Sequence, residues 1–174
     1  MSHTSVLRQE AIDALQVKKD GVYIDGTLGR GGHSLQIVQQ LDKGHLYCFD
    51  LDTQAISESK EVLADYLDKI TFIHSNFADM DKYIEGQVSG ILLDLGVSSP
   101  QFDEAERGFS YRFDSRLDMR MNLEQELSAY EVINHYDSTE LQRILYEYGE
   151  ERYAKNIVRN IVKNRPVETT YQLV

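Results

Sequence analysis

Residues 25–34 read DGTLGRGGHS and follow the apolar run GVYI. Four glycines in ten positions let a ligand approach the backbone closely. Free N–H groups at the start of a following helix favour an anion such as a carboxylate or phosphate. A P-loop requires G-x-x-x-x-G-K-[ST]. Gly26 and Gly31 have that spacing, but Gly32 and His33 follow where lysine and a hydroxyl residue belong, which argues against an ATP or GTP hydrolase. A dinucleotide fingerprint requires G-x-G-x-x-G. Gly29 and Gly31 begin it, but Ser34 takes the third glycine position, so an NAD-dependent oxidoreductase is the weaker reading. A ligand with an adenosine and a carboxylate but no pyrophosphate fits better, and S-adenosylmethionine has both.

The ribose of such a ligand calls for an acid at the end of a second strand, about 20 residues past the loop. Asp50 and Asp52 end HLYCFDLD, and Asp50 is preferred because it directly terminates the apolar run. Turn formation is the alternative role for either acid. Phe77 ends KITFIHSNF, where it either flanks an adenine or belongs to the core. Asp94 follows the apolar residues of GILLD, and a carboxylate there is costly unless it meets a ligand amine or backbone donors. His33 suits a backbone or ligand contact better than base catalysis. His3, His33 and His74 lack metal-ligand spacing, so no metal is expected.

Two basic stretches are candidate RNA contacts. RGFSYRFDSRLDMRM sets Arg107, Arg112, Arg116 and Arg120 among Phe109, Tyr111 and Phe113, a mixture suited to phosphate contact and base stacking. Asp114 and Asp118 compete for the same arginines. In RYAKNIVRNIVKNR, Arg152, Lys155, Arg159 and Lys163 are spaced 3, 4 and 4 and form one helical stripe, with Ile157, Val158, Ile161 and Val162 as the apolar side. The stripe either contacts phosphate or is a solvated face balancing the preceding EYGEE.

The elements that must position these residues alternate along the chain. SVLRQEAIDAL, HSLQIVQQL and TQAISESKEVLADYL have helical spacing; GVYIDGT, HLYCFDLD, KITFIHSNF and GILLDLG read as short strands, apolar throughout. That alternation predicts an α/β fold with a doubly wound parallel sheet, ligand at the carboxyl ends of its strands. The fourth strand would be an edge, which invites pairing with a second copy and makes a homodimer an expectation. After Gly96 the periodicity is lost through VSSPQFDEAERGFSYRFDSRLDMRMN, read as a long ordered loop. Helices are predicted over NLEQELSAYEVINHY with Asn122 as cap, over DSTELQRILYEYG with Asp137 and Glu140 as a capping box, and over the basic stripe up to Pro166. A last helix begins in PVETTYQLV.

The net charge of −11 by itself argues against a nucleic-acid partner, so the distribution of the basic residues matters more than the sum. No apolar run reaches the roughly 20 residues of a membrane span, and MSHTSVLRQE has no signal pattern, so no membrane association and a cytoplasmic location are expected. The single cysteine, Cys48, reads as a buried strand residue and excludes an internal disulfide framework.

Taken together, DGTLGRGGHS, LLDLGVSSPQ, ERGFSYRFDSRLDMRM and YGEERYAKNIVRNIV resemble the bacterial 16S rRNA cytosine-N4 methyltransferase family. The motifs occur in order between HTSVL and RPVETT and cover essentially the whole chain. The resemblance implies a Rossmann-like class I methyltransferase sheet with strand order 3-2-1-4 over residues 1–100. A helical substrate-recognition region would follow over residues 101–174. It also implies S-adenosylmethionine as donor and small-subunit rRNA, or the assembled 30S particle, as partner. Carried over by motif, the donor site comprises Gly31, Gly32, His33, Asp50, Phe77, Asp94 and Gln101. Many amino-methyltransferases carry acid-Pro-Pro-aromatic after strand four; here that place holds DLGVSSPQ. Asp94, or backbone carbonyls and the hydroxyls of Ser98 and Ser99, are therefore the expected acceptors of the N4 hydrogens, a structural turn being the other reading of the serines. Family members are longer and return to the sheet after the helical region, so a fragment that binds donor without turnover is the alternative function.

Overall fold

The computed structural model describes residues 7–97 and 99–174. The chain divides into two compact units, Met1–Gly96 and Val97–Val174.

The first unit contains helices α1 (Arg8–Leu15), α2 (Gly32–Val38) and α3 (Thr53–Val62) and strands β1 (Val22–Asp25), β2 (His45–Asp50), β3 (Ile70–His74) and β4 (Gly90–Leu92). The strands form one parallel sheet in the order β3-β2-β1-β4, as expected. Successive strand residues point to opposite faces, and both faces are covered over the central strands β1 and β2, whereas on the edge strand β4 Ile91 stays exposed. Tyr23, Leu46 and Cys48 pack into one cluster with Ile12, Ile37 and Val38, while Ile24 and Phe49 pack into another with Ile73. This two-sided burial is why the strand sequences show no polar alternation.

The sheet departs from the sequence expectation in two places. The predicted single helix through Leu67 ends at Val62 and continues as the 3-10 turn Ala64–Lys69. The tighter turn keeps Leu63 fully buried and delivers Ile70 opposite Leu46 in the sheet. β4 has only three residues, because its extension turns toward the loop after β1: the Asp94 N–H donates to Thr27 Oγ1 at 2.7 Å.

The second unit holds α4 (Ser99–Asp103), α5 (Ala129–His135), α6 (Ser138–Glu147), α7 (Ala154–Lys163) and α8 (Thr170–Leu173). α6 and α7 share a core of Leu141, Val158 and Ile161, flanked by Val132, Ile133, Tyr136 and Leu145. Asp137 caps α6, accepting the N–H groups of Thr139 and Glu140 at 2.8 and 3.0 Å. The box is half formed: the Glu140 side chain goes to Arg143. Thr169 caps α8.

The stretch after Gly96, expected to be loop, contains α4 and a 3-10 turn over Ala105–Arg107. α5 begins at Ala129 under the cap Ser128, well after Asn122, whose Oδ1 accepts the Glu124 N–H in a turn. The start is fixed by the loop: the Ala129 and Tyr130 N–H groups donate to the carbonyls of Asp118 and Leu117 at 2.6 and 2.7 Å. The same loop is tied to the end of the chain, with Leu117 N–H donating to Glu168 and Thr170 N–H to Ser115.

Candidate functional site

β1 ends in Asp25, which is completely buried. Its Oδ2 accepts the Ser34 hydroxyl at 2.7 Å and its Oδ1 the Thr27 N–H at 3.1 Å, while Ser34 Oγ lies 3.3 Å from Cys48 Sγ. The pair fastens α2 to the end of β1 and closes the glycine loop between them. Burial pushes the Asp25 carboxyl up from its ordinary 3.8, with the Ser34 and Thr27 hydrogen bonds pulling back.

Because that pKa is raised on folding, the stability tied to Asp25 is fully present below 3.8 and is lost as pH rises through the folded value. Asparagine can accept the Thr27 N–H and donate to Ser34 without a buried charge. Asp25→Asn is therefore expected to withstand urea at pH 7 at least as well as the parent, with a flatter stability profile between pH 4 and 7. Asp25→Ala strands both partners and is expected to lose about 1–3 kcal/mol.

The loop turns through two left-handed glycines, Gly29 (φ 50°) and Gly31 (φ 77°). At Gly31 a side chain would also press on Leu63, 3.3 Å from the place of a Cβ. The loop rests on β2: the Leu28 N–H donates to the Phe49 carbonyl at 3.0 Å, and the Gly29 N–H to Asp50 Oδ2 at 2.7 Å. The other Asp50 oxygen accepts the Asp52 N–H at 2.9 Å. Partial burial raises the Asp50 pKa, and these backbone donors oppose the rise. Asp52 has a different task, capping α3 through Gln54 N–H. The structure thus separates the two acids: Asp50 ties the loop to the sheet, and Asp52 starts a helix.

His33 lies in the first turn of α2 with 6% of its side chain exposed. Its Nδ1 is 3.8 Å from Asp94 Oδ2, and its buried Nε2 has no hydrogen-bond partner. The Asp94 side chain is 49% exposed. The expectation of a carboxylate made costly by burial does not hold, because Asp94 lies past the end of β4 and remains hydrated. Phe77 opens a 3-10 turn capped by Asn76 and packs, half-buried, against Ile24, Phe49 and Ile73. Gly26 admits Phe77 and Leu93 over the loop, since a Cβ there would lie 3.0 Å from Phe77 Cβ. The loop glycines, His33, Asp50, Phe77 and Asp94 therefore all lie at the carboxyl ends of the four strands. Asp25 and Ser34 were missed in the sequence, where Ser34 registers only as a failed glycine; an acid closing a strand nine residues before a hydroxyl is the available signal.

In the second unit Gln101 is buried on α4. Ser98 and the side chain of Ser99 lie outside the described residues. Of the loop arginines, Arg107 is buried and donates to the carbonyls of Arg120 and Met121 at 3.0 and 3.2 Å. Arg120 grips Asp118 through Nε and Nη2, at 3.0 and 2.7 Å, and donates to the Leu123 and Gln125 carbonyls. These two arginines build the loop. Arg112 and Arg116 are exposed, Arg116 standing 5.7 Å from the Tyr130 ring centroid. Arg152, Lys155, Arg159 and Lys163 are exposed as well. Among the described residues no three His, Cys, Asp or Glu side chains converge as metal ligands, and no helix is long and apolar enough to cross a membrane.

The MraW methylase family matches residues 1–174. Ribosomal RNA small subunit methyltransferase H of Exiguobacterium sibiricum is 52% identical over 179 residues, covering 99% of this chain and 57% of that protein. The chain therefore spans a little over half the length of this curated relative. Among solved structures, an rRNA methylase from Streptococcus thermophilus is 20% identical over 55% of this chain and 57% of that chain, with a TM-score of 0.44. The C-terminal domain of precorrin-6Y C5,15-methyltransferase from Rhodobacter capsulatus is 12% identical over 63% and 59%, with a TM-score of 0.47. Matched along its full length and 52% identical to a curated relative, the chain belongs to the MraW methylase family.

Proposed function

We propose that the carboxyl-end edge of the sheet binds S-adenosylmethionine, and that the whole protein methylates the N4 amino group of a cytidine in 16S rRNA, free or within the 30S particle, in the cytoplasm. The observation that carries this reading is the Asp50 carboxylate at the end of β2, held by the N–H of a left-handed glycine. Beyond the backbone N–H groups it accepts, the Asp50 carboxylate keeps lone-pair capacity for a ribose hydroxyl. Phe77 offers a ring for the adenine, and the backbone of Gly31, Gly32 and His33 faces the amino-acid end. The unpartnered Nε2 of His33 gives the site a buried polar atom for a ligand to satisfy. Asp94 completes the set within the first unit, and the family resemblance adds Gln101.

The donor supplies a methyl group activated by a sulfonium. Cytosine N4 is a poor nucleophile because its lone pair is delocalised into the ring. Accepting an N4 hydrogen localises that pair and relieves the positive charge that develops as the new N–C bond forms. Asp94, hydrated and beside His33, takes that proton and passes it to solvent; Ser98 and Ser99 are the alternative acceptors.

Titration calorimetry with S-adenosylmethionine, S-adenosylhomocysteine and NAD tests the donor site. Binding of the first two without NAD is the expected result, and absence of adenosylmethionine binding removes the reading. Methyl incorporation into 16S RNA and 30S particles, by this chain and by a full-length relative, then separates an enzyme from a module that only binds.

A further inference from the structure

α7 buries Ala154, Val158 and Ile161, which at about 100° per residue define one arc of the helix. Ile157 and Val162 flank this arc and stay more than one-third exposed, so the apolar side is narrower than the sequence suggests. Diametrically opposite lie Asn156, Arg159 and Lys163, with Lys155 alongside, all exposed; Arg152, which the sequence puts on the same helical stripe, is exposed too but lies in the turn before the cap Tyr153, outside the helix.

No ion pair among the described residues involves any of these four cations, and α7 contains no acid. On the neighbouring α6, by contrast, Arg143 pairs with both Glu140 and Glu147. In a chain of net charge −11, a helix face carrying three cations without an ion-pair partner among the described residues is complementary to a polyanion. Tyr153, just ahead of α7, is 70% exposed beside Arg152. Tyr148 is already engaged by Arg143, whose guanidinium lies 5.5 Å from its ring centroid. An open aromatic ring and two amide side chains, Asn156 and Asn160, next to a cationic track suit unpaired bases better than a duplex, whose bases are stacked away. The carboxylates of Glu150 and Glu151 precede Arg152, so phosphates are favoured toward the Arg159–Lys163 end and a base toward Tyr153.

We infer that the outer face of α7 is a docking surface for single-stranded RNA, with Lys155, Arg159 and Lys163 on phosphates and Tyr153 stacking a base. This rests on RNA being the substrate.

The test uses the 174-residue chain and a fluorescein-labelled 12-nucleotide RNA of mixed, unstructured sequence, read by anisotropy across a salt series. The double variant Arg159→Glu/Lys163→Glu is expected to weaken binding at least 30-fold and to flatten the log–log salt slope by about 1.4, at about 0.7 for each phosphate no longer neutralised. Tyr153→Ala is expected to weaken binding about tenfold with the slope unchanged, and Tyr153→Phe to restore it. Lys43→Glu, an exposed change in the first unit, is expected to leave binding alone. Circular dichroism confirms that each variant is folded; all sites are exposed. Unchanged binding by the double variant, equal binding of a duplex of the same length, or equal binding of polyglutamate each overturns the inference. Adenosylmethionine binding that persists when the RNA result is negative confines the failure to α7, whereas loss of donor binding in the parent chain strikes the proposed function itself.

Discussion

Asp50→Ala is expected to lower affinity for S-adenosylmethionine by about 100-fold or more, since hydrogen bonds to a charged group contribute about 1.5–3 kcal/mol each and a factor of ten corresponds to about 1.4 kcal/mol. Two effects combine. The ribose loses its acceptor, and the Gly29 N–H, held at 2.7 Å, is released together with the loop it anchors. Asparagine does not rescue the site. The carboxylate accepts a backbone N–H on each oxygen, and an amide presents a donor to one of them. Asp52→Ala is the matched control: it removes a helix cap, costing roughly 1 kcal/mol of stability, but should leave donor affinity within threefold. Calorimetry on the three variants distinguishes the acids, and an Asp50→Ala chain that binds within threefold of the parent would transfer the ribose role elsewhere.

The second large effect is expected at Gly108. Its φ of 70° is left-handed, and a Cβ there would lie 2.6 Å from the Arg116 carbonyl oxygen and 2.9 Å from the Asp118 nitrogen. Both obstacles are backbone, and that backbone is pinned by Leu117 N–H to Glu168 and Thr170 N–H to Ser115. Gly108→Ala therefore combines left-handed strain of about 1–2 kcal/mol with a clash that breaks loop hydrogen bonds, roughly 3–5 kcal/mol in all. Gly86 separates the contributions, having φ 91° with nothing within 4 Å of a Cβ; Gly86→Ala should show the strain alone. Hydrogen exchange at the Ala129 and Tyr130 amides reads the outcome. Protection there is expected to fall in Gly108→Ala and to persist in Gly86→Ala.

The sheet was legible in the sequence because a parallel strand buried on both faces leaves an uninterrupted apolar run, and HLYCFD or GVYI can be little else. Asp50 was legible because its distance from the glycine loop follows from one helix and one strand. Other features depend on contacts that no local window contains. Asn122 and Ser128 are both good caps, and the loop carbonyls of Leu117 and Asp118 decide between them. Arg107, Arg112, Arg116 and Arg120 look alike in a motif, yet two are consumed in holding the loop because Asp118 and nearby carbonyls face them. The Asp25–Ser34 pair is invisible until α2 is laid over the end of β1, since a buried carboxylate is improbable on composition alone.

Cys48, in the middle of β2 and fully buried, also gives the chain an internal clock. Burial drives its thiol far above the ordinary value, with Asp25 adding to the rise. The thiolate is the reactive form, so the folded sheet silences the only sulfhydryl in the sequence. Alkylation therefore proceeds through molecules in which β2 has come free. When capture outpaces reclosure its rate is the opening rate itself, and when capture is slow it reports the open population.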